Sequence, residues 1–80
     1  MATSWAMMVA KTEFKRSLTI AGHRTSLSLE PEFWDALKQA ATAENKSLAS
    51  LVGEIDQARG PRNLSSAIRV YLLAKAANPN

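Results

Sequence analysis

The chain lacks cysteine entirely and contains a single histidine, His23. Neither a disulfide nor a zinc site of cysteine and histidine ligands can therefore stabilise its fold. With 80 residues it lies near the size at which one hydrophobic core is only marginally stabilising, and oligomerisation is the remaining way to stabilise it. The absence of cysteine fits a reducing compartment, and we expect a cytoplasmic protein.

Long apolar runs are also missing. No segment approaches the roughly 20 consecutive apolar residues of a membrane-spanning helix. The mildly apolar residues 1–10 lack the basic start of a signal peptide. We expect residues 1–14 to form a flexible tail, residues 15–80 to form one domain, and the protein to have no membrane partner.

Catalytic side chains are equally sparse. His23 adjoins a predicted turn, and no nucleophile–base pair or set of spaced metal ligands can be drawn with it. Glu30, Glu32 and Asp35 cluster where a helix is predicted to begin, and the positive end of the helix dipole explains them there. We therefore expect no enzymatic activity, no cofactor and no metal site.

Acidic residues are absent from the last third of the chain. The net charges of residues 1–24, 25–56 and 57–80 are +3, −4 and +4, in a chain whose total is +3. A basic front end joined to an acidic middle indicates an anionic partner, such as nucleic acid, that is met by the N-terminal part. A charge excess of this size is also ordinary surface, so charge alone does not identify the partner.

The most informative segment is RTSLSLEPEF, residues 24–33. Its leucines alternate with serines, which predicts a strand with one apolar face and one polar face. A short lone strand is not stable in water, and its edges recruit another strand. The nearest partner is the same segment of a second copy, and the resulting two-stranded ribbon has the size that fits the DNA major groove. The apolar face holds Leu27 and Leu29, and the polar face holds Arg24, Ser26 and Ser28.

The preceding segment KRSLTI, residues 15–20, also alternates, with Leu18 and Ile20 on one face. A turn is predicted after it, because Gly22 is free to adopt positive φ. Two interpretations stay open. The segment is either a second short strand that folds back on residues 24–29, or an extended basic arm.

Three helices are predicted after the strand. Pro31 suits the first position of the first helix, Ser47 is a good N-cap for the second, and Asn63 or Ser65 caps a third that runs to about Ala77. The first helix should end near Asn45, and Gly60 with Pro61 should end the second. The apolar stripe of the first helix comprises Phe33, Leu37, Ala40 and Ala41, with Trp34 at the edge of the core; that of the second comprises Leu48, Leu51, Val52 and Ile55.

Two features predict further packing. Gly53 in the middle of the second helix indicates the close approach of another backbone, for example at a dimer axis. The third helix is apolar around most of its circumference, which predicts contacts with its own domain and with a partner. Its apolar residues are Ala67, Ile68, Val70, Tyr71, Leu72 and Leu73.

The order of a strand, a proline-opened helix and a serine-capped helix resembles the ribbon-helix-helix family of DNA-binding proteins, the Arc and MetJ type. The matching residues run from His23 to about Ala58 without a gap. The longer segment KRSLTIAGHRTSLSLEPEFW is also similar to small bacterial proteins that contain little besides this domain. The resemblance implies a mostly α fold with a short β-ribbon. It also implies a dimer. The chain departs from a simple family member at two places, since an additional C-terminal helix follows the expected end of the domain and KRSLTI, as an extra strand or an arm, precedes the ribbon.

The resemblance also implies a function, a bacterial DNA-binding transcription regulator of the repressor kind that inserts the ribbon of a homodimer into double-stranded DNA. Strand parity then assigns base contacts to Arg24, Ser26 and Ser28. The DNA backbone contacts implied are Lys15, Arg16, Lys46, Ser47 and Leu48. The dimer core implied is Leu27, Leu29, Phe33, Leu37, Leu51, Val52 and Ile55. If KRSLTI forms the intermolecular ribbon instead, the base contacts move to Arg16, Ser17 and Thr19.

A second function stays open. In it the same dimer fold serves as a protein-interaction module or an antitoxin-like protein, and the C-terminal helix binds a protein partner. Antitoxins of this type usually carry a disordered C-terminal tail, whereas the C-terminal residues here are predicted to form a helix of their own.

Overall fold

The computed structural model describes residues 14–77. The described chain forms two strands and then three helices, β1 (Phe14–Ile20), β2 (His23–Leu29), α1 (Pro31–Ala43), α2 (Leu48–Ala58) and α3 (Leu64–Ala77). It is mostly helical with one short β-ribbon, as the sequence predicts. In this part of the chain no helix has the length and apolarity to cross a bilayer. The predicted tail, residues 1–14, lies outside the described residues except for Phe14.

The two strands form an antiparallel hairpin within one chain, so residues 15–20 fold back as a strand and the interpretation as an extended arm is wrong. The loop consists of Ala21 and Gly22, whose φ angles are +52° and +84°. A two-residue hairpin loop needs positive φ at these positions, because only then does its twist match that of the strands. Glycine adopts this conformation readily, and Ala21 takes it beside Gly22.

The strand register decides which side chains share a face. Arg16 lies opposite Leu27, Leu18 lies opposite Thr25, and Ile20 lies opposite His23. Directly opposed residues point to the same side of a sheet, so these pairs face the helices. Leu27 and Leu29 are buried there, as the alternation predicts.

The helix ends follow the predicted caps. The side chain of Ser47 accepts a hydrogen bond from the backbone N–H of Ser50 at 3.1 Å, and Asn63 Oδ1 accepts one from that of Ser66 at 2.8 Å. Asn63 is therefore the cap of α3, whereas the hydroxyl of Ser65 donates a hydrogen bond to the backbone carbonyl of Ser28 at 3.0 Å. Gly60, with φ +62°, follows the end of α2 as predicted.

The core lies between the hairpin and all three helices. One of its details corrects the sequence interpretation. Trp34 is not at the core edge but is only 2% exposed, while Phe33 is partly buried. Within the single chain Gly53 is approached by a side chain, since a Cβ there would lie 3.3 Å from Cγ2 of Ile20; the approach of a backbone at a dimer axis stays a prediction. The buried apolar residues are Ile20, Leu27, Leu29, Trp34, Leu37, Ala41, Leu51, Val52, Ile55, Ala67, Ile68 and Leu72.

The third helix packs on its own domain, as predicted, through Ala67, Ile68 and Leu72. It is tied to the other elements by polar contacts as well. Arg69 donates from Nε at 3.1 Å and from Nη2 at 3.0 Å to Oε1 of Glu30, at the junction of β2 and α1. This pairing helps to hold α3 against the base of the hairpin.

Candidate nucleic-acid interface

One face of the hairpin is entirely polar. The register places Lys15 opposite Ser28, and Ser17 opposite Ser26. Thr19 lies opposite Arg24 in the same way. Because opposed residues share a face and alternate residues do not, all of these side chains point away from the helices. We call this surface the ribbon face and define it as Lys15, Ser17, Thr19, Arg24, Ser26 and Ser28.

The ribbon face is positively charged and open. Residues 14–29 contain Lys15, Arg16 and Arg24 but no carboxylate. Within residues 14–77, neither Lys15 nor Arg24 makes an ion pair, and five of the six ribbon-face side chains are exposed, with Ser28 partly buried. Cationic groups and hydroxyls that are not engaged inside the fold are available to a phosphate or to a base edge.

Arg16 lies on the opposite side of β1 from the ribbon face. Its guanidinium carbon is 5.1 Å from the ring centroid of Trp34, a cation–π contact. Arg16 therefore does not share a face with Ser17 and Thr19, because strand parity joins Lys15 with them; the alternative set of base contacts stays a prediction. The role of Arg16 as a backbone contact stays a prediction.

The N-terminus of α2 is the second predicted DNA contact. Ser47 caps the helix, and the N–H groups of Leu48 and Ala49 have no partner among residues 14–77. Free N–H groups at the positive end of a helix dipole favour an anion. Lys46, which precedes the cap, is not free, because its Nζ lies 2.6 Å from Oε1 of Glu54 and 3.1 Å from Oε1 of Glu44.

Lys46 belongs to a polar cluster centred on Glu44, the residue after α1. The carboxylate of Glu44 accepts a hydrogen bond from the Tyr71 hydroxyl and lies 2.9 Å from Nζ of Lys75. These donors, first the Tyr71 hydroxyl and then Lys75 and Lys46, lower the pKa of Glu44 from 4.5 to about 2. The hydrogen bonds that Lys46 donates to Glu54 and Glu44 raise the pKa of Lys46. The cluster joins the end of α1 to α3 and to the start of α2.

The residues predicted to form the dimer core are mostly buried inside the single chain. Leu27, Leu29, Leu37, Leu51, Val52 and Ile55 are all buried, and Phe33 is partly buried. The large apolar side chains that stay exposed are Phe14, Val70 and Leu73. Val70 and Leu73 line an open apolar groove of about 410 Å³ between α1 and α3, and nothing in the structure shows what covers it.

Sequence reasoning did not join the two strands into one ribbon face. It assigned base contacts to β2 or, as the alternative, to Arg16, Ser17 and Thr19 of β1, and it treated Lys15 as a backbone contact. The alternation of KRSLTI already indicated that Ser17 and Thr19 share a face, but only the register shows that this face continues that of β2. The cation–π contact of Arg16 was missed as well, because Trp34 was placed at the core edge. Among residues 14–77 no group of histidine, cysteine and carboxylate side chains is arranged to hold a metal ion.

The hairpin and helix order can be compared with known families. The ribbon-helix-helix domain matches residues 14–76. This range includes β1 and most of α3, the two segments that looked like departures from the family on sequence alone. Comparison with curated proteins and with solved structures found no match. Since the match covers nearly all of the described residues, the chain belongs to the ribbon-helix-helix domain family.

Proposed function

We propose that the protein is a sequence-specific DNA-binding protein, a bacterial transcriptional repressor that acts in the cytoplasm as a homodimer. Ribbon-helix-helix domains commonly bind DNA as transcription regulators, and they typically dimerise. The observation that supports the proposal most strongly is the ribbon face. It is a row of hydroxyls flanked by Lys15 and Arg24, on a hairpin that has no acidic residue.

The dimensions of the hairpin suit the major groove. Neighbouring strands lie about 4.8 Å apart, and the major groove, about 12 Å wide, admits a two-stranded ribbon. The guanidinium of Arg24 can donate a bidentate pair to O6 and N7 of guanine, and serine and threonine hydroxyls can donate or accept. The resemblance assigns base contacts to Arg24, Ser26 and Ser28, and the shared face adds Ser17 and Thr19. Lys15, at the end of this face, is the candidate for a phosphate contact.

Backbone phosphates would be met at the margins of this face. The free N–H groups at the start of α2, with the cap Ser47, form an anion site. Lys46 would exchange its carboxylate partners for a phosphate. The exchange costs little, since solvent-exposed ion pairs contribute little to stability. Arg16, on the helix-facing side of β1, is a further candidate for a phosphate at the groove edge.

The test is the salt dependence of binding to duplex DNA. Each phosphate contact contributes about −0.9 to the slope of log K against log salt, so a dimer with several contacts should lose affinity steeply as salt rises. Lys15→Ala should make the slope shallower by about 0.9 for each phosphate that is no longer neutralised. Lys38→Ala, on the exposed side of α1, is the matched control and should leave the slope unchanged. A wild-type protein without measurable affinity for duplex DNA at low salt would overturn the proposal.

The protein-interaction alternative stays a prediction. The apolar groove beside Val70 and Leu73 is its only structural support among the described residues. That groove does not indicate the chemistry of an occupant, whereas the ribbon face fits double-stranded DNA in both charge and width. DNA binding is for this reason the function that we propose.

A further inference from the structure

The end of β2 is bonded to a residue that lies 37 positions further along the chain. The hydroxyl of Ser65, in the first turn of α3, donates a hydrogen bond to the backbone carbonyl of Ser28 at 3.0 Å. Ser28 is the partly buried member of the ribbon face, whose other five side chains are exposed. This bond therefore connects α3 directly to the surface that we propose for DNA.

The carbonyl of Ser28 can accept this bond because it points away from β1. Ile20 and His23 flank the two-residue loop, and the residues that flank such a loop form a hydrogen-bonded pair. Hydrogen-bonded and non-hydrogen-bonded pairs then alternate along the strands. By this alternation Lys15 and Ser28 are a non-hydrogen-bonded pair. Ser65 thus supplies the partner that β1 does not give to this carbonyl.

A second contact holds α3 beside the same stretch of chain. Arg69 donates two hydrogen bonds to Oε1 of Glu30, and its guanidinium carbon lies 5.7 Å from the centroid of the Phe33 ring. Ser65 and Arg69 are four residues apart, about 6 Å along a helix. Ser28 and Glu30 are two residues apart, about 6.6 Å along an extended chain. Because the two spacings match, one face of α3 can hold both points at once.

Both serines of β2 that are assigned to base contacts border α3. Ser26 and Ser28 line a polar cleft, and Asn63 and Ser65 line it from the side of the helix. Arg24, near the hairpin loop, lies outside this cleft. Support from α3 is therefore concentrated at the end of the ribbon face that is remote from the loop.

We propose that Ser65 is a positioning residue for base recognition, because its hydroxyl fixes the peptide carbonyl of Ser28 and with it the direction of the Ser28 side chain. The inference rests on the proposed function and deepens it. A binding group must be held within about 0.5 Å of its productive position by supporting hydrogen bonds. Ser65 gives this support from outside the hairpin. It acts through Ser28 and does not itself contact a base.

The test compares Ser65→Ala with Ser66→Ala, two partly buried serines in the first turn of α3. The probes are the duplex that the wild type selects from a random pool and a shuffled duplex of the same composition. Ser65→Ala should lower the ratio of the two affinities by roughly 2- to 10-fold, the equivalent of one hydrogen bond. Ser66→Ala is the matched control and should keep the wild-type ratio. Ser65→Thr retains the hydroxyl and should also keep it.

Two further readouts separate positioning from a general loss of stability. The slope of log K against log salt reports phosphate contacts, and it should be the same in Ser65→Ala as in the wild type. Selection with Ser65→Ala should relax the same base positions as selection with Ser28→Ala. It should not relax those that Thr19→Ala relaxes, because Thr19 lies opposite Arg24, four residues or about 13 Å from Ser28 along the strand. Equal weakening of binding to both duplexes would overturn the positioning role.

The positioning role and the proposed function fail in different measurements. A wild type that does not bind duplex DNA would overturn the function, and the positioning role with it. A wild type that prefers its selected duplex, with the same ratio in Ser65→Ala, would overturn the positioning role alone. If Ser65→Ala does not fold by circular dichroism, the isosteric pair Ser65→Thr and Ser65→Val makes the same comparison. A higher ratio in Ser65→Thr would support the role of the hydroxyl, and equal ratios would overturn it.

Discussion

The indole nitrogen of Trp34 donates a hydrogen bond to the backbone carbonyl of Phe14 at 3.0 Å. The bond joins α1 to the first residue of β1, and the Trp34 ring carries the guanidinium of Arg16 on its face. A single buried side chain thus holds the start of the hairpin through both a polar and a cation–π contact. The position of β1, and with it half of the ribbon face, depends on this residue.

Trp34→Phe tests this dependence. The variant loses the indole hydrogen bond, which contributes about 0.5–1.5 kcal/mol, and leaves space in the core. We expect the free energy of unfolding in urea to fall by about 1–3 kcal/mol in total. Phe33→Leu, at the partly buried neighbouring position, should cost less than about 1.5 kcal/mol. An equal or smaller loss for Trp34→Phe would contradict the structural role of Trp34.

The Glu44 cluster predicts a pH dependence of stability. The pKa of Glu44 is lowered from 4.5 to about 2 in the folded chain, so its contribution is fully present above about pH 5. The contribution is lost as pH falls toward 2, because the folded protein must then take up a proton that weakens the cluster. We expect the thermal unfolding midpoint of the wild type to decrease over this pH interval. In the Glu44→Gln variant the midpoint should decrease less over the same interval.

The Tyr71→Phe variant is an independent test of the Glu44 cluster. The Tyr71 hydroxyl is the first cause of the lowered pKa of Glu44, so its removal should move that pKa upward. Loss of stability should then begin at a higher pH than in the wild type. NMR titration of the Glu44 side-chain carboxyl carbon measures the change directly, and an unchanged midpoint would show that the hydroxyl does not hold the carboxylate.

Gly53 predicts a steric limit where α2 meets β1. A Cβ at this position would lie 3.3 Å from Cγ2 of Ile20, so alanine gains about 1 kcal/mol of helix propensity against a tight contact. We expect Gly53→Ala to be close to neutral. Gly53→Val should destabilise by about 1–3 kcal/mol through overpacking, as measured by urea unfolding. A stabilised valine variant would mean that α2 and β1 are further apart than described.

The side chains that read bases can be identified by selecting bound sequences from random duplex DNA. Because Ser17 and Thr19 share the ribbon face with Ser26 and Ser28, Ser17→Ala with Thr19→Ala should broaden the selected sequence. Ser26→Ala with Ser28→Ala should broaden it as well. Removal of one base-reading side chain should reduce discrimination by up to about 1–3 kcal/mol. A selected sequence that both pairs leave unchanged would contradict base reading by the ribbon face.

Much of the fold could be predicted from local sequence signals. Caps and breakers are local, so Ser47, Asn63 and Gly60 marked the helix ends correctly. The pairing of the strands could not be predicted, since the alternation of residues 15–20 fits both a strand and an arm. The hydrogen bond from Ser65 to the backbone carbonyl of Ser28 depends on where α3 lies, and the sequence pattern does not contain that placement.

In the core and in the candidate site, too, local patterns were predicted correctly and tertiary contacts were not. Phe33 and Trp34 are adjacent, about 100° apart on a helix, and only the tertiary packing decides which of them is buried. Lys46 looked like a free cation beside the Ser47 cap, but its ion pairs reach Glu54, eight residues further on. The alternation that places Arg24, Ser26 and Ser28 on one polar face is a local pattern and was predicted correctly. The continuation of this face into β1 could be seen only from the strand register.

The most direct test of the account is an amide NMR titration of the protein with duplex DNA that contains a selected site. We predict that the largest shifts occur at residues 15–19 and 24–28 and at the start of α2, and that they saturate at one duplex per dimer. Shifts that cluster instead around Val70 and Leu73, with the ribbon face unchanged, would contradict the claim that the hairpin binds DNA.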